Sequence, residues 1–259
     1  MILSILPAAT MAAAEPSAEI KSTEKAVLQG VNAMRAKHGL VPLRLARSVR
    51  YVARARSLSM KNQRYFGHVS PSGVNAAKLL NRRGVGFRSW GEAIGWTVSM
   101  SLERGADWMV DWWYHSPPHR KLMLSPTYNY CGVGIVQSGS KRLYTIVFVN
   151  QRDHTPPTVG VVGQRNGISV ATAEAAGGTK DVKVNWWGRD RRLSVRTSGL
   201  LGYTVQFKKI GGKWRTLQVR SRNRQVTKAL AAGDYKFRVR AIDKQGNRSK
   251  WARVKVYVS

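Results

Sequence analysis

His119 lies in the run Trp112-Trp113-Tyr114-His115-Ser116-Pro117-Pro118-His119-Arg120, whose chemistry depends on where a helix can start. Ser116 suits an N-cap, since its hydroxyl can accept from free N–H groups of the next turn. Pro117 suits the first helical position, where a missing N–H costs nothing. His119 then falls in the first turn, close to unpaired peptide N–H groups and the positive end of the helix dipole. That setting disfavours an imidazolium and favours a neutral ring able to take a proton or bind a metal. Two groups far away in the chain are suited to the same chemistry. His68 follows a helical stretch in a segment turned by Pro71 and Gly73, a loop seating common for site residues. Glu92 is the only carboxylate between Glu24 and Glu103 and is flanked by apolar residues and Trp90. A carboxylate so placed either pairs with a histidine or turns to solvent. Gly-x-Ser-x-Gly, His-Glu-x-x-His and P-loop patterns do not occur.

The elements that must position these groups follow from periodicity. Residues 22–38 read as a helix capped by Ser22 or Thr23, with Val27, Val31 and Met34 on one face and Gly39 as the stop. A second helix covers roughly 46–62, where Val49, Val52 and Ala53 form an apolar stripe. Arg47, Arg50 and Arg54 form a basic face, read as solvated. Shorter helical signals cover 76–83 and 101–114. In the latter, Glu103, Asp107 and Asp111 share one exposed face, while Trp108, Trp112 and Trp113 are expected as core or pocket wall. Residues 91–94 read as a strand, and Val133–Gln137 and Tyr144–Asn150 as an antiparallel pair across a turn at 138–141. Cys131, beside Gly132 in that strand, is expected to be a small core residue; a single cysteine excludes an intramolecular disulfide.

Three ordered motifs carry a resemblance to a known family. Trp113 to Leu124 is similar to Trp-x-x-Ser-Pro-x-His-Arg-x-x-x-Leu, Phe66 to Gly73 to Phe-x-His-x-x-x-x-Gly, and Gly91-Glu92-Ala93-Ile94 to Gly-Glu-Asn-Ile. These are signatures of bacterial members of the CAP superfamily, which groups cysteine-rich secretory proteins, antigen 5 and pathogenesis-related proteins. The resemblance implies an α-β-α sandwich in which two histidines and two acids line a cavity, with divalent cations bound through the histidines in several members. His68 and His119 match the histidines and Glu92 one acid. The second acid commonly follows the first histidine by five residues, where this chain has Gly73. The resemblance therefore brings together His68, Glu92 and His119 as a set that fits a zinc-like ion with an open position, or an acid–base pair acting on a bound substrate. It also places His115 and Trp113 at the pocket.

Beyond about residue 155 the helical period gives way to alternating runs at Val182–Trp186, Tyr203–Ile210, Trp214–Val219, Tyr235–Ile242 and Val254–Val258. That pattern indicates a β-sandwich of about 100 residues. It resembles a fibronectin type III domain on Pro156-Pro157, Trp186, Tyr203-x-Val205-x-Phe207, Tyr235–Ala241 and Asp243-x-x-Gly-Asn-x-Ser249. Tyr235, Phe237 and Val239 should point inward, leaving Lys236, Arg238 and Arg240 on one outer face for an anionic polymer. The expected class is α+β: a CAP-like α-β-α sandwich at 19–152, a linker at 153–158 and an all-β immunoglobulin-like sandwich at 159–259. Residues 1–18 read as a signal peptide and leader, with Ala12-Ala13-Ala14 as a small-x-small cleavage site. No Lys or Arg precedes the apolar run, a departure from a complete signal.

Charge narrows the partners. The formal net charge is +31; residues 1–154 carry 21 Lys/Arg against 8 Asp/Glu, and residues 155–259 carry 23 against 5. Such a chain attracts polyanions over long range and in a salt-sensitive way. No other stretch approaches the ~18 apolar residues of a membrane span. The preferred reading is an exported binding protein, secreted or envelope-associated, with a His/Glu cavity suited to a divalent cation and a basic sandwich that holds anionic cell-wall or envelope polymers. A metal-assisted peptidase or cell-wall hydrolase is the first alternative and a lipid carrier the second. Nucleic acid is disfavoured by the export signal and by the lack of a base-reading motif.

Overall fold

A computed structural model describes residues 16–161, 170–175 and 178–259; the expected leader, up to residue 15, lies outside the described residues. The chain forms two compact units, residues 1–150 and 151–259.

In the first unit the order is α1 (Ala18–Lys37), β1 (Arg44–Leu45), α2 (Arg47–Asn62), α3 (Ala76–Arg82), β2 (Ser89–Val98), α4 (Leu102–His115), α5 (Pro117–Met123), β3 (Tyr130–Ser138) and β4 (Lys141–Asn150). α1 begins four residues before the expected start, because Ser17 accepts from the Ile20 amide and caps it. Its Val27 and Val31 are fully buried, as the spacing required. One sheet runs β1-β3-β4-β2, with β1 parallel to β3 and the rest antiparallel. α2 lies against β3 and β4, while α1 and α4 pack with β3 and β2 on the other face. These are the three layers of an α-β-α sandwich.

The alternation Cys131-Gly132-Val133-Gly134-Ile135 explains how α2 seats. Cys131, Val133 and Ile135 enter the core shared with α1 and α4. Gly132 and Gly134 therefore turn toward α2, where an added Cβ would stand 2.1 Å from the Arg50 amide nitrogen and 2.2 Å from that of Arg54. Backbone meets backbone, and Ser57 donates from α2 into the sheet, to the Gly134 carbonyl at 2.9 Å. Burial pushes the Cys131 thiol up to about 12, so it is an inert core group.

The second unit is all β: β5 (Thr158–Val161), β6 (Val170–Ala175), β7 (Thr179–Arg189), β8 (Leu200–Lys209), β9 (Arg215–Ser221), β10 (Gln225–Ala231), β11 (Gly233–Asp243) and β12 (Ala252–Val258). One sheet runs β10-β7-β5 with β6 also on β7, and the other runs β12-β11-β8-β9. Val182, Val184 and Trp186 of the first sheet share a core with Val205, Phe207, Phe237, Val239 and Val256 of the second. That is a sandwich. The expected runs at 182, 203, 214, 235 and 254 are strands or border them, whereas β5, β6 and β10 were not anticipated. Asp153, expected in a linker, is 2% exposed and belongs to this unit. No helix among the described residues is long and apolar enough to cross a membrane.

Candidate functional site

Glu92 is carried by β2, which pairs only with β4 and so forms an edge of the sheet. On that strand Ala93 enters the core beneath α1 and α4, while Ile94 packs with Met60 of α2. Glu92 shares the Ile94 face, and its buried carboxylate is fully used there. Oε1 accepts from Arg56 Nε at 2.9 Å and Oε2 faces His68 Nδ1 at 2.7 Å. Arg56 is 0% exposed and also donates to the Gly67 carbonyl at 2.6 Å, the Tyr65 hydroxyl at 2.7 Å and the Val74 carbonyl at 3.3 Å. One guanidinium thus ties the acid to both ends of the loop that carries His68.

The His68 side chain is 55% exposed. In the neutral ring, Nδ1 donating to the carboxylate leaves the lone pair on Nε2, an arrangement common for a ligand or base. His119 comes from α5. Its Nδ1 lies 2.8 Å from Ser116 Oγ. Ser116 occupies the N-cap position as expected, yet its hydroxyl caps no amide and holds the His119 ring instead. Burial first, and then the charge of neighbouring His68, lowers the His119 pKa below the ordinary imidazole value. His119 is therefore neutral at about pH 7.

The structure brings His68 and Glu92 into contact, but His119 does not join them in a set whose ligand atoms all lie within 4.8 Å of one another. Each Glu92 oxygen has one partner, Arg56 for Oε1 and His68 for Oε2, and the side chain is 1% exposed. His115 lies elsewhere: its side chain is 68% exposed and Nδ1 sits 3.0 Å from the Asp111 carbonyl of its own helix. Trp113 is 0% exposed and donates to the Ile94 carbonyl, so it is core rather than pocket wall. The indole at the site is Trp112, 5.2 Å from the His119 ring and stacked on Trp108; both are about two-fifths exposed. Two arginines escaped the sequence reading. Arg56 could be suspected only from its register with Val49, Val52 and Ala53 on the buried side of α2. Arg35, fully buried, donates to the Met123 and Ser125 carbonyls and holds the end of α5. Arg54, read as solvated, forms a two-pronged pair with Glu24 at 2.8 and 2.6 Å.

Among the described residues, the three acidic or histidine side chains whose ligand atoms all lie within 4.8 Å of one another are Asp153, Asp190 and Asp243, in the second unit. Ser198 Oγ stands 2.8, 3.2 and 2.9 Å from their respective Oδ2 atoms. Burial chiefly, together with the charges of Asp153 and Asp243, raises the Asp190 pKa despite its bonds to Gly199 and Ser198. A raised carboxyl pKa means that the folded state binds this proton more readily than the unfolded chain. Asp190 therefore opposes folding above its unfolded pKa, and that penalty fades as the pH falls. Asp190→Asn should raise the Tm at about pH 7, with the gain shrinking toward pH 4; thermal melts across that range check it, and a loss at pH 7 would contradict it.

Residues 28–150 match the CAP family, described as the cysteine-rich secretory protein family. An uncharacterized protein YkwD of Bacillus subtilis (strain 168) is 33% identical over 132 residues, 51% of this chain and 49% of that protein. An uncharacterized membrane protein YlbC of the same organism is 32% identical over 130 residues, 50% of this chain and 35% of that protein. The chain thus spans about half or less of these curated relatives. A solved extracellular protein containing an SCP domain from Bacillus anthracis is 27% identical with a TM-score of 0.44, covering 51% of this chain and 41% of that one. The motifs around His68, Glu92 and His119 and the sandwich that positions them fall within residues 28–150, the stretch that matches the CAP family.

Proposed function

We propose that this CAP domain is a binding module of an exported, envelope-associated protein, and that its His68–His119 pair takes a divalent cation such as zinc. The single observation that carries the reading is the buried Arg56–Glu92–His68 chain. It holds an exposed imidazole with Nδ1 toward a carboxylate, and His119 supplies a second ring that is neutral at physiological pH. A cation here would be held by His68 Nε2 and the free nitrogen of His119, with Glu92 as the orienting carboxylate behind His68. Such an ion supplies Lewis acidity to a bound carbonyl, phosphoryl or water oxygen. Export is supported by the apolar leader, and the second unit is read as a fibronectin type III-like sandwich from the residues named above.

Calorimetric zinc titration of the full chain tests the site. Wild type should bind at micromolar Kd or tighter, and His68→Ala or His119→Ala should each lose at least tenfold. Glu92→Gln should lose about 10–100-fold, as expected of a group that orients a ligand. No heat with wild type, or heat unchanged in the histidine variants, would refute the cation site.

A second reading, turnover, rests on the same His68–Glu92 pair, since a carboxylate-oriented imidazole with a free Nε2 is also a general base. It requires hydrolysis of a peptide or cell-wall polymer that disappears in His68→Ala. Lipid carriage has smaller support, in a cavity of about 330 Å³ where Tyr51, Leu58 and Val136 meet the polar Arg54, Asn62 and Gln63.

A further inference from the structure

The outer face of the β12-β11-β8-β9 sheet is cationic in a way that the fold does not need. Tyr235, Phe237 and Val239 of β11 are buried, so Lys236, Arg238 and Arg240 stand on the opposite face. The register places Lys208, Lys236 and Lys255 side by side across three strands. The next row is Gln206, Arg238 and Arg253. Like charges placed directly across strands destabilise a sheet, and here two successive rows carry them. Arg238 is lowered from the usual guanidinium pKa by burial first, then by Arg253 and Arg240. Asp234 is the carboxylate at the end of this row of β11, where it stands opposite Tyr257.

Two indoles hold the cations in place. The Arg238 guanidinium lies 4.0 Å from the Trp214 ring centroid and 4.4 Å from that of Trp251. Lys208 stands 5.4 Å from Trp214, and Arg240 stands 4.7 Å from Trp251. The order Lys208, Trp214, Arg238, Trp251, Arg240 is an alternating ladder of cation and ring. Each contact attracts a cation to the face of a ring and so offsets part of the repulsion between neighbouring cations. Arg238 Nε is fixed by Gln206 Oε1 at 2.8 Å. The side-chain entropy that a charged surface normally loses on binding is already spent in folding.

We infer that this face docks a linear phosphodiester polymer of the cell envelope, of the polyol-phosphate kind, through Lys236, Lys255, Arg253 and Arg240 with Lys208 and the edge of Arg238. Alternate residues along β11 repeat at about 6.6 Å and neighbouring strands at about 4.8 Å, which gives a flat grid for a flexible chain of evenly spaced anions. Arginine forks and lysine ammonium groups are the side chains that phosphate oxygens recognise. The Trp214 and Trp251 faces are taken up by cations, which leaves the exposed Tyr257 as an open ring at the end of this face. One ring is a smaller stacking platform than the successive aromatic side chains that single-stranded nucleic acid relies on. This inference is independent of the His68–His119 site.

The test uses the full chain and a synthetic poly(glycerol phosphate) of defined length, with duplex DNA of equal charge and a neutral glycan as comparisons, over a salt series. The polymer should bind with a log K against log salt slope of about −3 to −4, the value for four to six displaced counterions on a flexible polyanion. Lys236→Ala/Lys255→Ala should cost at least tenfold. Arg191→Ala/Arg192→Ala removes the same charge from exposed positions away from this face and should change affinity less than twofold. Trp251→Leu, checked for folding by circular dichroism, should weaken binding with no change in net charge. Equal losses in the two double variants would reduce the effect to bulk charge and overturn the assignment. Tighter binding to duplex DNA, or no polymer binding at low salt, would overturn it as well.

Discussion

Arg56→Met is expected to destabilise the first unit by about 3–5 kcal/mol, the range for removing one partner of a buried ion pair. The pair is among the most buried contacts in the unit, with the Arg56 and Glu92 side chains 0% and 1% exposed. Methionine fills much of the volume but leaves the Glu92 carboxylate in the interior facing only His68. The Gly67 carbonyl and the Tyr65 hydroxyl lose their donor at the same time. Urea unfolding followed by tryptophan fluorescence would read the loss. The double variant Arg56→Met/Glu92→Gln should recover part of it, because the uncompensated charge is gone. A single-variant cost under about 1 kcal/mol, or a double variant that simply sums the two losses, would show that the pair is not the keystone of the His68 loop. The same variant should weaken zinc binding, since His68 would lose its fixed carboxylate.

Gly134→Ala should cost about 3 kcal/mol or more, at or beyond the upper end of ordinary overpacking. The added methyl would lie 2.2 Å from the Arg54 amide nitrogen and 2.3 Å from the Ala53 carbonyl carbon. These are helix backbone atoms, and no rotamer change can move them aside. α2 must therefore shift as a body, and that shift carries Arg56 away from Glu92. The control is Gly139→Ala in the β3–β4 turn, where φ is +62° and nothing lies within 4 Å of an added Cβ. It should cost only about 1 kcal/mol, from backbone strain alone. Equal costs at the two glycines would mean that the close approach of α2 to β3 is not maintained in solution. Loss of zinc affinity in Gly134→Ala but not in Gly139→Ala would connect helix seating to the site.

The elements of the first unit were legible because each carries a local cause. α2 follows from Val49, Val52 and Ala53 at helical spacing, and the β3–β4 pair from alternating apolar residues across a glycine turn. Where expectation failed, a stronger neighbour had replaced the local signal. Ser17 accepts from the Ile20 amide and moves the start of α1 ahead of Ser22. Ser116 satisfies the N-cap rule by position while its hydroxyl goes to a histidine ring. Trp112 and Trp113 are adjacent and identical in type; only the packing of α4 on the sheet puts one in the core and the other beside His119. The three missed strands of the second unit, β5, β6 and β10, lack the clear aromatic and β-branched alternation of the others. They are recruited by pairing to β7.

The sequence by itself determined which residues could do chemistry, the helices and strands of the first unit and the inward–outward alternation of β11, because these depend on residue type and short-range period; the layering of the first unit was what the family resemblance implied. Tertiary structure alone decided what the residues do. Arg56 is the clearest case: its bonds reach Tyr65, Gly67, Val74 and Glu92, partners 9 to 36 positions away. Without them it reads as one more arginine on a basic helix. The same holds for Glu92, whose partners Arg56 and His68 lie 36 and 24 positions away. Hydrogen-bond valence is filled in space, across elements that sequence periodicity describes one at a time.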